Sequence, residues 1–243
     1  MDYRDYETRA RVTDRMREDG LYAVTAFPVL MRKVYVWMTF ALVITGVTAY
    51  AVATTPSLLL AIATNTLLFW GLVIAEFALV IAISAAINKL SITTATLLFV
   101  LYSVVNGATL SLIFVLYTAT SIASVFFITA GTFAVMAFIG YTTKTDLTSL
   151  GKILLMALIG IIIATVVNLF VRSTGLQLIV SYIGVLVFVG LTAYDSQKIK
   201  RMLMQVDTMS EAAQKIALLG ALTLYLDFIN LFLYLLRIFG RRD

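Results

Sequence analysis

The 243-residue chain is 61% hydrophobic and only 13% charged, with a mean hydropathy of +1.00, which is more apolar surface than a water-soluble core can hide. It has no Cys and no His, so disulfides, thiolate metal sites, cysteine nucleophiles and any Ser-His-Asp triad are excluded. The formal charge of +5 implies no nucleic-acid partner, because basic flanks gathered on one side of a membrane account for it.

Met1 to Gly20 is dense in both charge signs and poor in apolar residues, so residues 1–31 read as a cytoplasmic tail without a cleavable signal peptide, leaving 32–243 as one transmembrane domain. Seven apolar runs follow, near 33–53, 64–87, 95–117, 120–140, 152–171, 177–197 and 216–239. Each reaches the ~20 residues that a helix needs to cross a hydrocarbon core of ~30 Å. A run of that length satisfies its own backbone only as a helix, so the expected fold is an all-α integral membrane bundle of seven helices in a lipid bilayer. Arg4, Arg9, Arg11, Arg15, Arg17, Arg32 and Lys33 precede the first span. Lys89, Lys144, Lys152, Lys198, Lys200, Arg201 and Lys215 fall on the same side, with Arg172, Arg237, Arg241 and Arg242 on the other. That asymmetry puts the N-terminus in the cytoplasm and the C-terminus outside.

Three carboxyls lie inside these runs: Glu76 midway along the second, Asp195 near the end of the sixth, and Asp227 at the centre of the seventh. A charge at the bilayer centre costs roughly 2.5–3.5 kcal/mol on insertion scales, so such residues face the protein interior or water and mark proton and ion paths. Without His, any titration near neutrality falls to carboxyls in unusual surroundings. Depth alone makes Glu76 and Asp227 neighbours. Asp195 lies roughly 12 Å nearer the cytoplasm at 1.5 Å per residue. Pairing it with Asp227 requires the sixth helix to continue through Lys198–Arg201, with those side chains snorkelling to the interface. The competing reading makes Asp195 a helix-end charge balancing Lys198 and Lys200.

Thr223, Asp227, Asn230 and Tyr234 fall on one face of the last run. A polar stripe of that length places the helix inside the bundle, and for Thr223, Asn230 and Tyr234 interhelical hydrogen bonding is a sufficient reason. Asn106 and Asn168 are further polar positions, each readable as a cavity lining or as a packing contact. Gly107-xxx-Ser111, Gly160-xxx-Ala164, Ala82-xxx-Ala86 and Ala217-xxx-Ala221 are small-residue pairs suited to close helix approach.

The segments Gly190-Leu-Thr-Ala-Tyr-Asp-Ser-Gln-Lys-Ile-Lys200, Leu224-Tyr-Leu-Asp-Phe-Ile-Asn-Leu-Phe232 and Leu236-Arg-Ile-Phe-Gly-Arg-Arg242 resemble those of bacterial members of the Bax-inhibitor family. Arg32-Lys-Val-Tyr-Val-Trp-Met38 and Thr142-Thr-Lys-Thr-Asp-Leu-Thr-Ser-Leu-Gly151 extend the resemblance from about Arg32 to Arg242. It implies a bundle whose last helix is central and a bacterial inner-membrane location. It further implies that Asp195 and Asp227 form a pH-sensitive gate for a calcium leak and bind calcium weakly and transiently. Two carboxyls in contact share one proton and titrate as a unit. Glu76, Asn106, Thr223, Asn230 and Tyr234 are the polar residues available to support that pair. No tightly bound cofactor is expected, calcium being the permeant ion.

In some relatives an arginine at the cytoplasmic end of the second helix engages the helix-six aspartate. Here the region is Ala86-Ile-Asn-Lys89, so Lys89 takes that place without a bidentate clamp. The resemblance also implies an alternative, an interaction protein that modulates a membrane protease or a stress response. A remote third reading, an intramembrane aspartyl protease, requires Gly-x-Gly-Asp where this chain has Leu224-Tyr225-Leu226-Asp227. The expectation is therefore a protein that is no enzyme.

Overall fold

The structure is a computed structural model that describes the backbone of residues 3–206 and 210–241 and side chains from residue 27 onward. Among the described residues there are helices and no strands. In chain order they are α1 (Tyr3–Ala53), α2 (Pro56–Thr64), α3 (Thr66–Ala86), α4 (Ile92–Leu110), α5 (Ile113–Leu116), α6 (Ala119–Thr142), α7 (Thr148–Val171), α8 (Thr174–Met204) and α9 (Glu211–Phe239). Seven stretches are long and apolar enough to cross a membrane: Phe27–Ala53, Thr66–Ala86, Ile92–Leu116, Ala119–Thr142, Thr148–Val171, Thr174–Met204 and Glu211–Phe239. These are the seven expected spans. The side chains of residues 1–26, most of the expected tail, lie outside the described residues.

Local chemistry sets the boundaries. Ser91, Thr118, Ser173 and Ser210 precede helices in extended backbone, and each side-chain oxygen accepts the N–H three residues on, satisfying one donor that a helix start leaves free. Pro56 occupies the first turn of α2, where its missing N–H carries no penalty. α7 stops at Arg172, whose φ of 53° is left-handed, and Ser173 N donates to Asn168 Oδ1 at 3.0 Å. Asn168 is thus a helix-stop residue. The third span, expected as one helix, breaks after Leu110, where Ser111 Oγ donates back to Ala108 O at 2.6 Å. A hydroxyl bonded to its own helix backbone competes with the ladder and bends the chain.

α9 is the most enclosed span: 67% of its most apolar stretch is buried, against 6% for α3 and α7. It packs on α8, α1, α6 and α4, while α3 packs on α4 and α7 on α8. Close approaches depend on glycine at a few places. A Cβ on Gly107 would lie 2.6 Å from Thr45 O, so the Gly107-xxx-Ser111 pair does bring α4 onto α1. A Cβ on Gly140 would collide with the Ala193 backbone, locking α6 onto α8 two residues before Asp195. Ala217 and Ala221 are fully enclosed on α9. The Gly160-xxx-Ala164 pair mediates no such contact, because Gly160 has open space around it.

Gly140→Val is expected to destabilise the bundle by more than the ~1–3 kcal/mol typical of overpacking, since the obstacle is backbone that cannot rotate away. Gly160→Val is expected to leave the unfolding temperature in detergent unchanged, and thermal unfolding of both variants beside the parent chain checks the contrast.

Candidate functional site

Two residues apart on a helix is a rotation of about 200°. Tyr225 and Asp227 therefore point to nearly opposite sides of α9, and each anchors a separate polar centre.

On the α8 side, Asp227 is 4% exposed and Asp195 is 8% exposed. α8 continues without a break through Asp195 and Lys198–Arg201 to Met204, as pairing of the two aspartates requires. The two carboxyls lie close enough to act on each other electrostatically. Asp227 Oδ2 is buried and has no hydrogen-bond partner among the described residues. Asp195 also feels the charge of Lys198, one turn further along α8. It is buried nine residues before the helix end, and of the two lysines it was expected to balance, Lys200 is engaged by Tyr141.

The C-terminal end of α8 is held by a clamp that the sequence did not disclose. Gln197 Oε1 accepts from Leu147 N at 2.9 Å and its Nε2 donates to Thr145 O at 2.8 Å. Lys200 Nζ donates to Tyr141 O at 2.8 Å and lies 5.0 Å from that ring's centre. Arg201 Nη1 donates to Asp146 Oδ1 at 2.8 Å. Two of the basic residues expected to snorkel thus make specific bonds instead, Lys200 to the last turn of α6 and Arg201 to the α6–α7 connection. Hydrogen bonds from the Thr148 hydroxyl and N–H, followed by Arg201, hold the Asp146 carboxyl down to about 2.

On the opposite side of α9, Tyr225 is fully buried and its hydroxyl donates to Asn106 Oδ1 at 2.9 Å. Thr45 Oγ1 sits 2.6 Å from the same hydroxyl and donates to Ser103 O at 3.0 Å. The Glu76 carboxyl faces Thr109 and Asn106 of α4, with Oε1 lacking a partner among the described residues. Glu76 therefore belongs to the Tyr225 centre, and the neighbourhood with Asp227 suggested by depth is not realised: the second span packs against α4, not against α9.

The remaining stripe residues divide. Thr223 Oγ1 donates to Leu219 O at 3.0 Å and Asn230 Nδ2 to Leu226 O at 2.8 Å, each satisfied by its own helix rather than by a neighbour. Tyr234 stacks on Phe188 at 5.8 Å, in the space left by Gly184, whose added Cβ would lie 2.7 Å from the ring. Lys89 is exposed in the turn after α3 and makes no ion pair with Asp195 among the described residues. Tyr225, Thr45 and Gln197 were missed because no spacing rule joins residues 180 positions apart, as Thr45 and Tyr225 are, or 50 apart, as Leu147 and Gln197 are. No group of three or more acidic side chains that could hold a metal occurs among the described residues, so an ion at the aspartate pair would draw other ligands from water or backbone.

A family profile described as "Inhibitor of apoptosis-promoting Bax1" matches residues 28–243. "Inner membrane protein YbhL" of Escherichia coli K12 is 54% identical over 213 residues, covering 87% of this chain and 91% of that protein. An uncharacterized protein of Borreliella burgdorferi is 49% identical over 212 residues, with 87% and 91% covered. Another from Deinococcus radiodurans is 39% identical over 213 residues, with 88% and 90% covered.

Tyr225→Phe strands the Asn106 carbonyl in the bundle and is expected to destabilise the fold by about 1–3 kcal/mol, read as thermal unfolding in detergent. Asp146, whose native value lies below its unfolded 3.8, contributes stability that is present above the unfolded value and lost as pH falls through about 2. The difference in unfolding temperature between Asp146→Asn and the parent is therefore expected to stay constant from pH 5 to 8, and to shrink only in stronger acid.

Proposed function

Because the chain belongs to the family of inhibitors of apoptosis-promoting Bax1, we propose that it is a multi-pass inner-membrane protein that leaks calcium passively, gated by protonation of Asp195 and Asp227. The observation that carries this reading is the burial of the two carboxyls on packed neighbouring helices, within electrostatic reach of each other and with one Asp227 oxygen unpartnered. Burial of that kind is a costly way to hold two helices together, and it suits a group that exchanges a proton or an ion. The inner-membrane assignment follows the name of the Escherichia coli relative, and a cytoplasmic N-terminus follows the Lys and Arg asymmetry.

The gate works through linked equilibria. Two adjacent carboxyls disfavour double ionisation, so the pair keeps one proton readily and titrates as a unit. Calcium is a hard cation that requires ionised oxygen ligands, so proton and calcium compete for the pair. Two carboxylates are few ligands for an ion that takes six to eight, so water or backbone oxygens complete the shell and binding is weak. Weak binding suits conduction, since the ion must leave as readily as it enters. Lowering the pH loads the shared proton and weakens calcium binding.

The purified protein in liposomes, without any other protein, is expected to pass calcium with a rate that changes between pH 5 and 8. Asp195→Asn and Asp227→Asn keep side-chain size but remove the charge and the shared proton, and each is expected to remove the pH dependence. If both variants keep the parent's flux and pH profile, the gate lies elsewhere and Glu76→Gln is the next variant to measure. If the parent passes no calcium, the protein acts through a partner such as a membrane protease.

A further inference from the structure

α1 and α6 meet at one end, where the rings of Phe27 and Tyr141 stack with centres 6.3 Å apart, but they do not pack along their length. The gap is a crevice of about 730 Å³, within the ~300–1,000 Å³ range of ligand pockets. Its floor is aromatic: Phe126 and Phe133 of α6 meet Phe228 of α9 edge-on, with ring centres 5.4 and 5.5 Å apart. The α1 wall is built from Arg32, Tyr35, Met38, Thr39 and Leu42, a spacing that falls on one helical face. All but Leu42 and Thr39 come from the Arg32–Met38 segment, which neither polar centre uses.

We propose that this crevice binds one acyl chain of an anionic phospholipid, with the headgroup at Arg32. The crevice lies between two helices that are long and apolar enough to cross a membrane, so hydrocarbon is the medium expected at its apolar mouth. From Arg32 to Leu42 is ten residues, about 15 Å of helix rise, which matches one leaflet of a hydrocarbon core of ~30 Å. The lining is mostly apolar along that length, broken by the Thr39 hydroxyl, and carries its one charge at the Arg32 end, where the Tyr35 and Tyr141 side chains also line it. Arg32 is exposed and makes no ion pair among the described residues. Its charge at the mouth of an apolar slot is complementary to a phosphate attached to an acyl chain, and basic pockets between spanning helices on the cytoplasmic side bind such headgroups. The proposal is independent of the role given to the aspartate pair.

The test is native mass spectrometry of the detergent-purified protein titrated with dioleoyl phosphatidylglycerol or dioleoyl phosphatidylcholine. The parent chain is expected to retain one tightly held lipid, with phosphatidylglycerol favoured by roughly fivefold, the equivalent of about 1 kcal/mol for one basic side chain. Arg32→Gln is expected to equalise the two lipids while the chain stays bound. Ala134→Phe fills the slot from α6 and Thr39→Phe fills it from α1, and both are expected to remove the tightly held lipid, so a failure of either variant to fold leaves the other to decide. Unfolding temperature in lipid-free detergent reports which variants are folded. A folded, filled variant that retains lipid as the parent does places the lipid elsewhere and overturns the proposal, as does a parent that retains neither lipid. Equal retention of the two lipids by the parent overturns the headgroup assignment.

Discussion

Enclosure of α9 by four other helices is the constraint on which the rest of this structure depends. A helix so placed has neither water nor headgroups to satisfy its polar atoms, so every one of them must find a partner in protein or stay exposed to a penalty of several kcal/mol. The outcome differs from residue to residue. Thr223 and Asn230 turn back to their own helix carbonyls, and Tyr225 reaches across to α1 and α4. Asp227 alone on this helix keeps a buried oxygen without a partner among the described residues. An acceptor left bare in a well-packed interior is the kind of exception that points to a group whose partner comes and goes.

The neighbouring helix is positioned from its end rather than its middle. Gln197, Lys200 and Arg201 bind the last turn of α6 and the α6–α7 connection through backbone carbonyls, a backbone N–H and the Asp146 carboxylate. Gly140 and Gly151 let α6 and α7 close on α8 at the Ala193 backbone and the Tyr194 ring, the two residues just before Asp195. The aspartate is therefore fixed by bonds from Gln197, Lys200 and Arg201 beyond it and by close contacts at Ala193 and Tyr194 just before it. Functional side chains held in this way keep their geometry because the shell around them is rigid. The same design joins the two sequence segments around residues 142–151 and 190–200, which are remote in the chain and adjacent in the fold.

Glu76 occupies a centre of its own. It sits on α3, a helix whose outer face is open and whose inner face meets α4, so its carboxyl turns toward Asn106 and Thr109. Tyr225 closes that centre from α9. One enclosed helix thus separates two sets of ionisable groups by its own thickness.

The class of the protein and its seven spans were legible in the sequence, whereas the helix starts at Ser91, Thr118, Ser173 and Ser210 were not read from it. Class and spans follow from one-dimensional properties, composition and the length of each apolar run. The interior placement of the last helix was equally legible, because a polar stripe on an apolar helix cannot face acyl chains. Which polar residues meet was not. Depth along a span pointed from Glu76 to Asp227, but depth carries no azimuth, and only the packing of α3 on α4 and of α8 on α9 decides the partner. The small-residue pairs illustrate the same limit, since Gly107 and Gly160 look alike in sequence while one touches a backbone and the other touches nothing. The Tyr225 bridge and the Gln197 clamp depended on helices far apart in the chain coming side by side, and the unfilled space between α1 and α6 depended on two helices failing to do so. A sequence determines which atoms must be hidden, whereas the tertiary structure decides against what.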